Sequence, residues 1–283
     1  MTAQHMADRL ARIRHPGPAD PQPSLVVPGR AVRHRVTLRA GQDLLADLAR
    51  VMEDLGCDCA AVRLDGLRIG PFAHVGPDVS RDGLHAAWYS DTRTGAAARI
   101  ARGTAIVGRR DGAWFFHCHA LWTDGGREVA GHLLPGEVTI ADTCDVTAVA
   151  FTGGTFTAAL NAQTQFTLFH PRPGPPVAAP DALIAKLNPY ADVPQTLSRI
   201  AREAGFERAE VLGVGSLIGA DFTDAPAMVS PISEVLFLPG AATGPGAGLP
   251  TLCVDPSGAL WQGTLAPGGA PVCVTFEVML VAL

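Results

Sequence analysis

An antiparallel or mixed sheet packed against a helix, made twice along the chain, is the α+β fold that the sequence predicts. Three observations carry it. The 283 residues include 31 Gly and 23 Pro but only 6% aromatics, a composition of many turns and short strands rather than long helices. Short alternating or wholly apolar runs recur between those turn residues, as half-buried or fully buried strands require. One stretch of the chain also resembles another, and a repeat fixes the organisation before any single element does.

The repeat begins at 36–65, which parallels 185–214: Leu38 matches Leu187, Asp43 matches Asp192, Leu48 matches Leu197, Arg50 matches Arg199 and Gly56 matches Gly205. Near the ends, 131–149 parallels 263–281, including Pro135 with Pro267, Gly136 with Gly268 and Asp145 with Glu277. The second pair of segments lies closer together than the first, so copy 1 carries extra length between Leu67 and about Ala113. The expected organisation is a Pro-interrupted arm over 1–30, copy 1 over 31–169, a Pro-rich linker over 170–180 and copy 2 over 181–283. The arm carries Arg9, Arg12 and Arg14 and reads as a solvated tail or a partner-binding arm.

In each copy a strand leads into a helix. Asp43 and Asp192 stand as N-caps, and apolar residues follow at helical spacing (Leu44, Leu48, Val51 and Leu55; Val193, Leu197 and Ile200). Gly56 and Gly205 stand where a C′ glycine ends a helix. After the helix, copy 1 offers strands over 60–64, 104–108, 114–122, 128–134 and 144–151.

Composition also narrows the function. With 47% hydrophobic and 17% charged residues the chain folds rather than remaining disordered. A formal charge of -5 disfavours nucleic acid as a partner, because phosphate-driven binding needs a basic surplus. No apolar window reaches the length of a membrane span and the N-terminus has no secretory pattern, so the expected location is cytoplasmic, with no membrane partner. Six cysteines without a C-x-x-C pair read as buried thiols.

The stretch 114–134 (WFFHCHALWTDGGREVAGHLL) carries the chemistry. If Gly125-Gly126 is a two-residue type I′ loop, Asp124 faces Arg127, and counting outward places His119 opposite His132. His117 then shares their face, because strand side chains alternate, and Cys118 points away. Opposed Cβ atoms lie about 4.5–5.5 Å apart, so three imidazoles can converge on one cation. Three histidines with an open position are the ligand set of a catalytic zinc site. A lone histidine is ordinarily a surface or hydrogen-bonded core group, and only the shared face of the three argues otherwise. The same ligands suit iron, copper and nickel, so zinc is the first expectation among divalent ions.

These residues resemble a known family. The H-x-H of His117 and His119, the G-H-L-x-x-G of 131–136, a closing strand with an acidic residue and the G-x-D helix start at 41–43 look like the PPC domain, named for plants and prokaryotes. The resemblance covers both copies. It implies an α+β fold with a sheet on a helix, assembly as a homotrimer, and a metal site on His117, His119 and His132. The implied fold is similar to that of acetolactate decarboxylase, a zinc enzyme with an H-x-H then His pattern. Plant members of the family carry AT-hook segments, and bacterial members share a DNA-binding label by association. Copy 2 departs from the pattern, with Leu249, Thr251 and Thr264 in place of the histidines, so it is expected to hold no metal and to serve as a structural partner without chemistry. The chain also lacks an AT-hook, Pro28-Gly29-Arg30 being the nearest approach.

The leading functional reading is a lyase or hydrolase in which the metal acts on a small oxygenated metabolite. The extra segment of copy 1, 71–103, contributes His74, Asp78, Arg81, His85, Tyr89 and Arg93, and of these His85, Tyr89 and Arg93 are the candidate catalytic residues beside the metal ligands. The alternatives are a DNA-associated or regulatory scaffold and a metal-dependent sensor without catalysis.

Overall fold

The computed structural model describes residues 3–283; residues 1 and 2 of the N-terminal arm lie outside the described residues. It begins with α1 (Ala3–Leu10) and a long β1 (Ser24–Leu38), followed by α2 (Leu44–Leu55), β2 (Cys59–Arg63) and β3 (Arg68–Val75). Three short strands, β4 (Pro77–Asp78), β5 (Trp88–Tyr89) and β6 (Arg93–Gly95), come next. The long strands β7 (Ala98–Arg110), β8 (Ala113–Asp124), β9 (Arg127–Ile140) and β10 (Cys144–Thr152) lead to β11 (Gly154–Leu160) and β12 (Thr167–Pro173). The C-terminal half comprises β13 (Ala182–Leu187), α3 (Val193–Glu203), β14 (Ala209–Leu217), β15 (Glu234–Phe237), β16 (Ala242–Thr243), β17 (Pro250–Val254), β18 (Leu260–Thr264) and β19 (Val272–Ala282). The fold is a sheet-dominated α+β architecture.

Both helices form where the sequence places them. The Asp43 carboxylate accepts from the Ala46 N–H at 3.0 Å, and Gly56, at φ 60°, turns the chain out of α2. Asp192 caps α3 through the Gln195 N–H at 3.0 Å, and Gly205 follows its last turn at φ 79°. Strands of the first half pair in the order β1–β10–β2–β7–β8–β9, all antiparallel. Those of the second half pair as β13–β19–β14–β15–β17–β18, again antiparallel. Each order starts with the strand before the helix. β1 joins the halves: its 24–29 segment pairs with β13 and its 30–38 segment with β10. Residue 30, the expected end of the arm, therefore lies inside a strand, and the Pro-rich 170–180 segment starts within β12.

Each sheet has a helix on one face and the other sheet on its opposite face. Leu44, Leu48, Val51 and Met52 of α2 pack on Phe116, Cys118 and Ile140, while Val193, Leu197 and Ile200 of α3 pack on Val211, Phe276 and Val278. Between the sheets Ile106, Leu121, Val149 and Phe156 meet Ile184, Leu212, Val214 and Met279. Each such side chain contributes roughly 1.5–3 kcal/mol when taken from water. Strand alternation thus decides which layer a residue enters: on β8, Phe116 and Cys118 enter the helix-side core, and His117 and His119 face the second sheet.

The arm is not a solvated tail. Leu10 and Ile13 pack with Ile218, Ile232 and Cys273 of the C-terminal half, and the His15 ring lies 2.8 Å from the Cys273 carbonyl. Arg9, only 6% exposed, donates to the Gly269 carbonyl at 2.9 Å and to Asp221 at 2.7 Å. Its charge is compensated within the fold, which is what allows the arm to dock. All six cysteines are free, and five are buried. Among the described residues no helix is long and apolar enough to cross a membrane.

Candidate metal centre

The hairpin register is the one its turn dictates. Gly125 and Gly126 have φ of 54° and 81°, the pair of positive values that a type I′ turn needs. Asp124 pairs with Arg127, Trp122 with Val129 and His119 with His132. Ring centroids of the three histidines lie 4.7 Å (His117 to His119), 5.0 Å (His117 to His132) and 5.4 Å (His119 to His132) apart. One nitrogen from each falls within 4.8 Å of the others, so the three could hold a metal ion.

Hydrogen bonds from the second half orient two of the rings. His119 Nδ1 lies 2.8 Å from the carbonyl oxygen of Val235. A carbonyl only accepts, so Nδ1 carries the proton and Nε2 keeps its lone pair. His117 Nδ1 lies 2.7 Å from Glu277 Oε2, and the two Nε2 atoms face each other at 3.1 Å. Two nitrogens bound tetrahedrally to zinc, each about 2.0–2.1 Å away, would be about 3.3 Å apart. Burial, and then the neighbouring imidazoles, hold His119 and His132 well below the ordinary histidine pKa, so both rest neutral. His132 Nδ1 is enclosed without a hydrogen-bond partner. Neutral rings, convergent nitrogens and partners that accept from the far nitrogen are the features a metal-binding histidine set requires. The donor set fits a divalent ion.

The cluster lies in the wall of a cavity of about 530 Å³ between the sheets. Trp88, Phe115, Phe166 and Phe169 form its apolar sides; Ser216, Glu234, Thr275 and Glu277 arrive from the second half. Tyr89 also lines it, with its ring 5.4 Å from that of His132, and its phenol is pushed up by burial first and then by Glu234 and Glu277. His85 and Arg93 are not among the lining residues. His85 Nδ1 lies 2.5 Å from Asp82 and its ring packs on Trp88 and Phe166, while Arg93 sits on β6 opposite His74. His74 is buried with its ring edge on Trp122. Arg81 pairs with Asp78 at 3.0 Å and Asp91 at 3.5 Å. Of the three candidate catalytic residues, only Tyr89 reaches the histidines.

The second half is closer to the chemistry than its missing histidines suggest. Glu277 touches His117 and the Val235 carbonyl touches His119, and Glu234 lines the same cavity. Sequence reasoning matched Glu277 to Asp145 without giving it a role, and it passed over Glu234. A signal exists for both: each is a single carboxylate inside an apolar strand, SEVLFL and TFEVMLV, where burial of a charge is costly unless a partner needs it.

No protein-family model matches the chain, and no curated protein matches it significantly. Among solved structures it is similar to a metal-containing protein from Archaeoglobus fulgidus, with 17% identity, 54% of this chain and 97% of that one covered, and a TM-score of 0.40. A plant- and prokaryote-conserved (PPC) protein from Pyrococcus horikoshii gives 16% identity, 52% and 94% coverage and a TM-score of 0.39. A protein from Ralstonia eutropha JMP134, named as a proposed DNA-binding protein, gives 18% identity, 48% and 89% coverage and a TM-score of 0.39.

Proposed function

We propose that the chain is a metal-dependent protein of the PPC type, built as two copies over 31–169 and 181–283, with one divalent ion, zinc first, on His117, His119 and His132. The same pairing order and the same helix start in both halves support the two-copy reading. The observation that carries the metal site is the pair of Nε2 atoms turned toward each other, with both Nδ1 positions taken by Glu277 and Val235.

The finer reading is a lyase or hydrolase for a small oxygenated metabolite. A cavity of about 530 Å³ has the size of a small-molecule site. An ion held there would supply a Lewis acid or lower the pKa of a bound water. Glu277 and Val235 keep two imidazoles in the ligating tautomer, the aromatic sides offer apolar contact, and Tyr89 offers a hydroxyl to the bound molecule. Metal analysis of the purified protein should return one ion per chain. A panel of small hydroxy acids, keto acids and esters should show turnover that chelation abolishes. Binding that changes the visible spectrum of the cobalt-loaded protein, with no turnover, would favour the sensor. Light scattering at three chain masses would support the trimer.

A further inference from the structure

Glu234 is the one carboxylate in the wall of the cavity whose two oxygens are both enclosed and without a hydrogen-bond partner among the described residues. The residue is 6% exposed. Glu277, its neighbour in the same wall, accepts from His117 and from Thr275 Oγ1, and Glu137 lies on an exposed stretch of β9. Glu234 thus stands apart in having nothing to compensate it. Its placement is no accident of a loop: it opens β15, in register with Ser216 on one side and Val254 on the other. The next residue on that strand, Val235, gives its carbonyl to His119 and its side chain to the helix-side core. One strand therefore fixes a histidine with its backbone and, by alternation, turns a carboxyl toward the cavity.

We propose that Glu234 is the charge-compensating carboxyl of the three-histidine centre, placed to accept a hydrogen bond from a water or a ligand hydroxyl in the cavity when a divalent ion is bound. This rests on the metal reading above. The physical reason is electrostatic. Three neutral imidazoles bring no negative charge to a dication, and Glu277 is already engaged by His117. The charged and titratable groups that line the same cavity are His117, His119, His132, Tyr89, Glu137 and Glu277, with Arg110 as the fixed cation. Arg110 is directed to Asp111 and to the Phe115 ring, and neither Glu234 oxygen has a partner among the described residues, so the metal-free site has nothing bonded to Glu234 to hold it charged. Burial accordingly pushes the Glu234 carboxyl well above the ordinary carboxylate range. A cation beside it reverses that balance, and the proton leaves to the buffer.

The test is calorimetric titration of the metal-free, full-length protein with zinc chloride at neutral pH, in two buffers of different ionisation enthalpy, which counts the protons released. Wild type should release about one proton more per ion than Glu234→Gln, and should bind zinc roughly 10–100-fold more tightly. Glu137→Gln should match wild type in both. Glu234→Met, similar in size and without a titratable proton, gives the same comparison if the glutamine variant does not fold. One ion per chain with equal proton release and equal affinity in wild type and variant would overturn the role of Glu234 and leave the metal site standing. Failure of the wild type to bind zinc at all would overturn both.

Discussion

Thr37 and Asp145 of the first half and Lys186 and Glu277 of the second occupy matching positions, each a cross-strand pair between the strand before the helix and the closing strand. In the first half the pair is exposed: Asp145 accepts from Thr37 at 2.6 Å and from Arg35 at 2.9 Å, at the protein surface. In the second half both side chains are buried, Lys186 bonded to Asn188 and Glu277 to His117. The same place in the same topology is an exposed hydrogen-bonded pair in one half and a buried pair beside the histidine cluster in the other. What differs is the cover. The corresponding residues do not both lie under the opposite sheet, so only one pair is desolvated and only one meets an imidazole. Histidine is distributed in the opposite sense: the 181–283 segment has none, and every candidate ligand lies before it. The candidate ligands thus come from the first half, and the two buried carboxyls of the cavity, Glu234 and Glu277, come from the second.

The most severe way to break this comparison is to remove 181–283. Ile106, Leu121, Val149, Phe151 and Phe156 would then face water, and His117 and His119 would lose their partners. The truncated chain should be insoluble or should lack a cooperative melt; a soluble, metal-loaded 1–180 fragment by size exclusion would show that the first half is self-sufficient.

A smaller perturbation is His119→Ala, which should take the metal content from one ion per chain to none by elemental analysis. It also strips the buried Val235 carbonyl of its donor, at a cost of about 1–3 kcal/mol in denaturant unfolding. His170→Ala, on β12 with its ring against Leu168 and Asn161, should keep the ion.

The matched pair separates the halves directly. Glu277→Gln should weaken metal binding about 10–100-fold in a chelator competition, because the orienting partner of a ligand is replaced. Asp145→Asn, at the matching exposed position, should leave metal affinity unchanged. Equal effects would mean that the two positions are not distinguished by their surroundings.

The mildest probe is pH. His74, His119 and His132 are all pushed below the ordinary histidine value, in each case chiefly by burial. The unfolded chain takes up protons near pH 6.5, whereas the folded one resists until lower pH. Stability of the metal-free protein should therefore be full above that value and decline as the pH falls below it. Hydrogen exchange should show the loss beginning in β3, β8 and β9, which carry these histidines, before α3, which carries none.

Local rules made much of this legible in advance. Asp43, Asp192, Gly56 and Gly205 mark helix ends by chemistry that acts over three or four residues, and the structure uses each of them so. The His119–His132 pairing followed from the conformation that Gly125-Gly126 imposes, because a two-residue turn propagates its register along both strands. The docking of the arm was not legible because it depends on Asp221 and Cys273, more than two hundred residues away. Which of His85, Tyr89 and Arg93 line the cavity was not legible for a similar reason: a segment rich in donors says nothing of which side chains turn inward.

The sequence by itself determined the helices, the hairpin and the convergence of three histidines, since these follow from propensity, turn geometry and alternation within short spans. Only the tertiary structure decided that a second sheet covers them. That contact brings Glu277, Val235 and Glu234 against residues more than a hundred positions earlier, and no periodicity in the chain records which face of one sheet meets which face of the other.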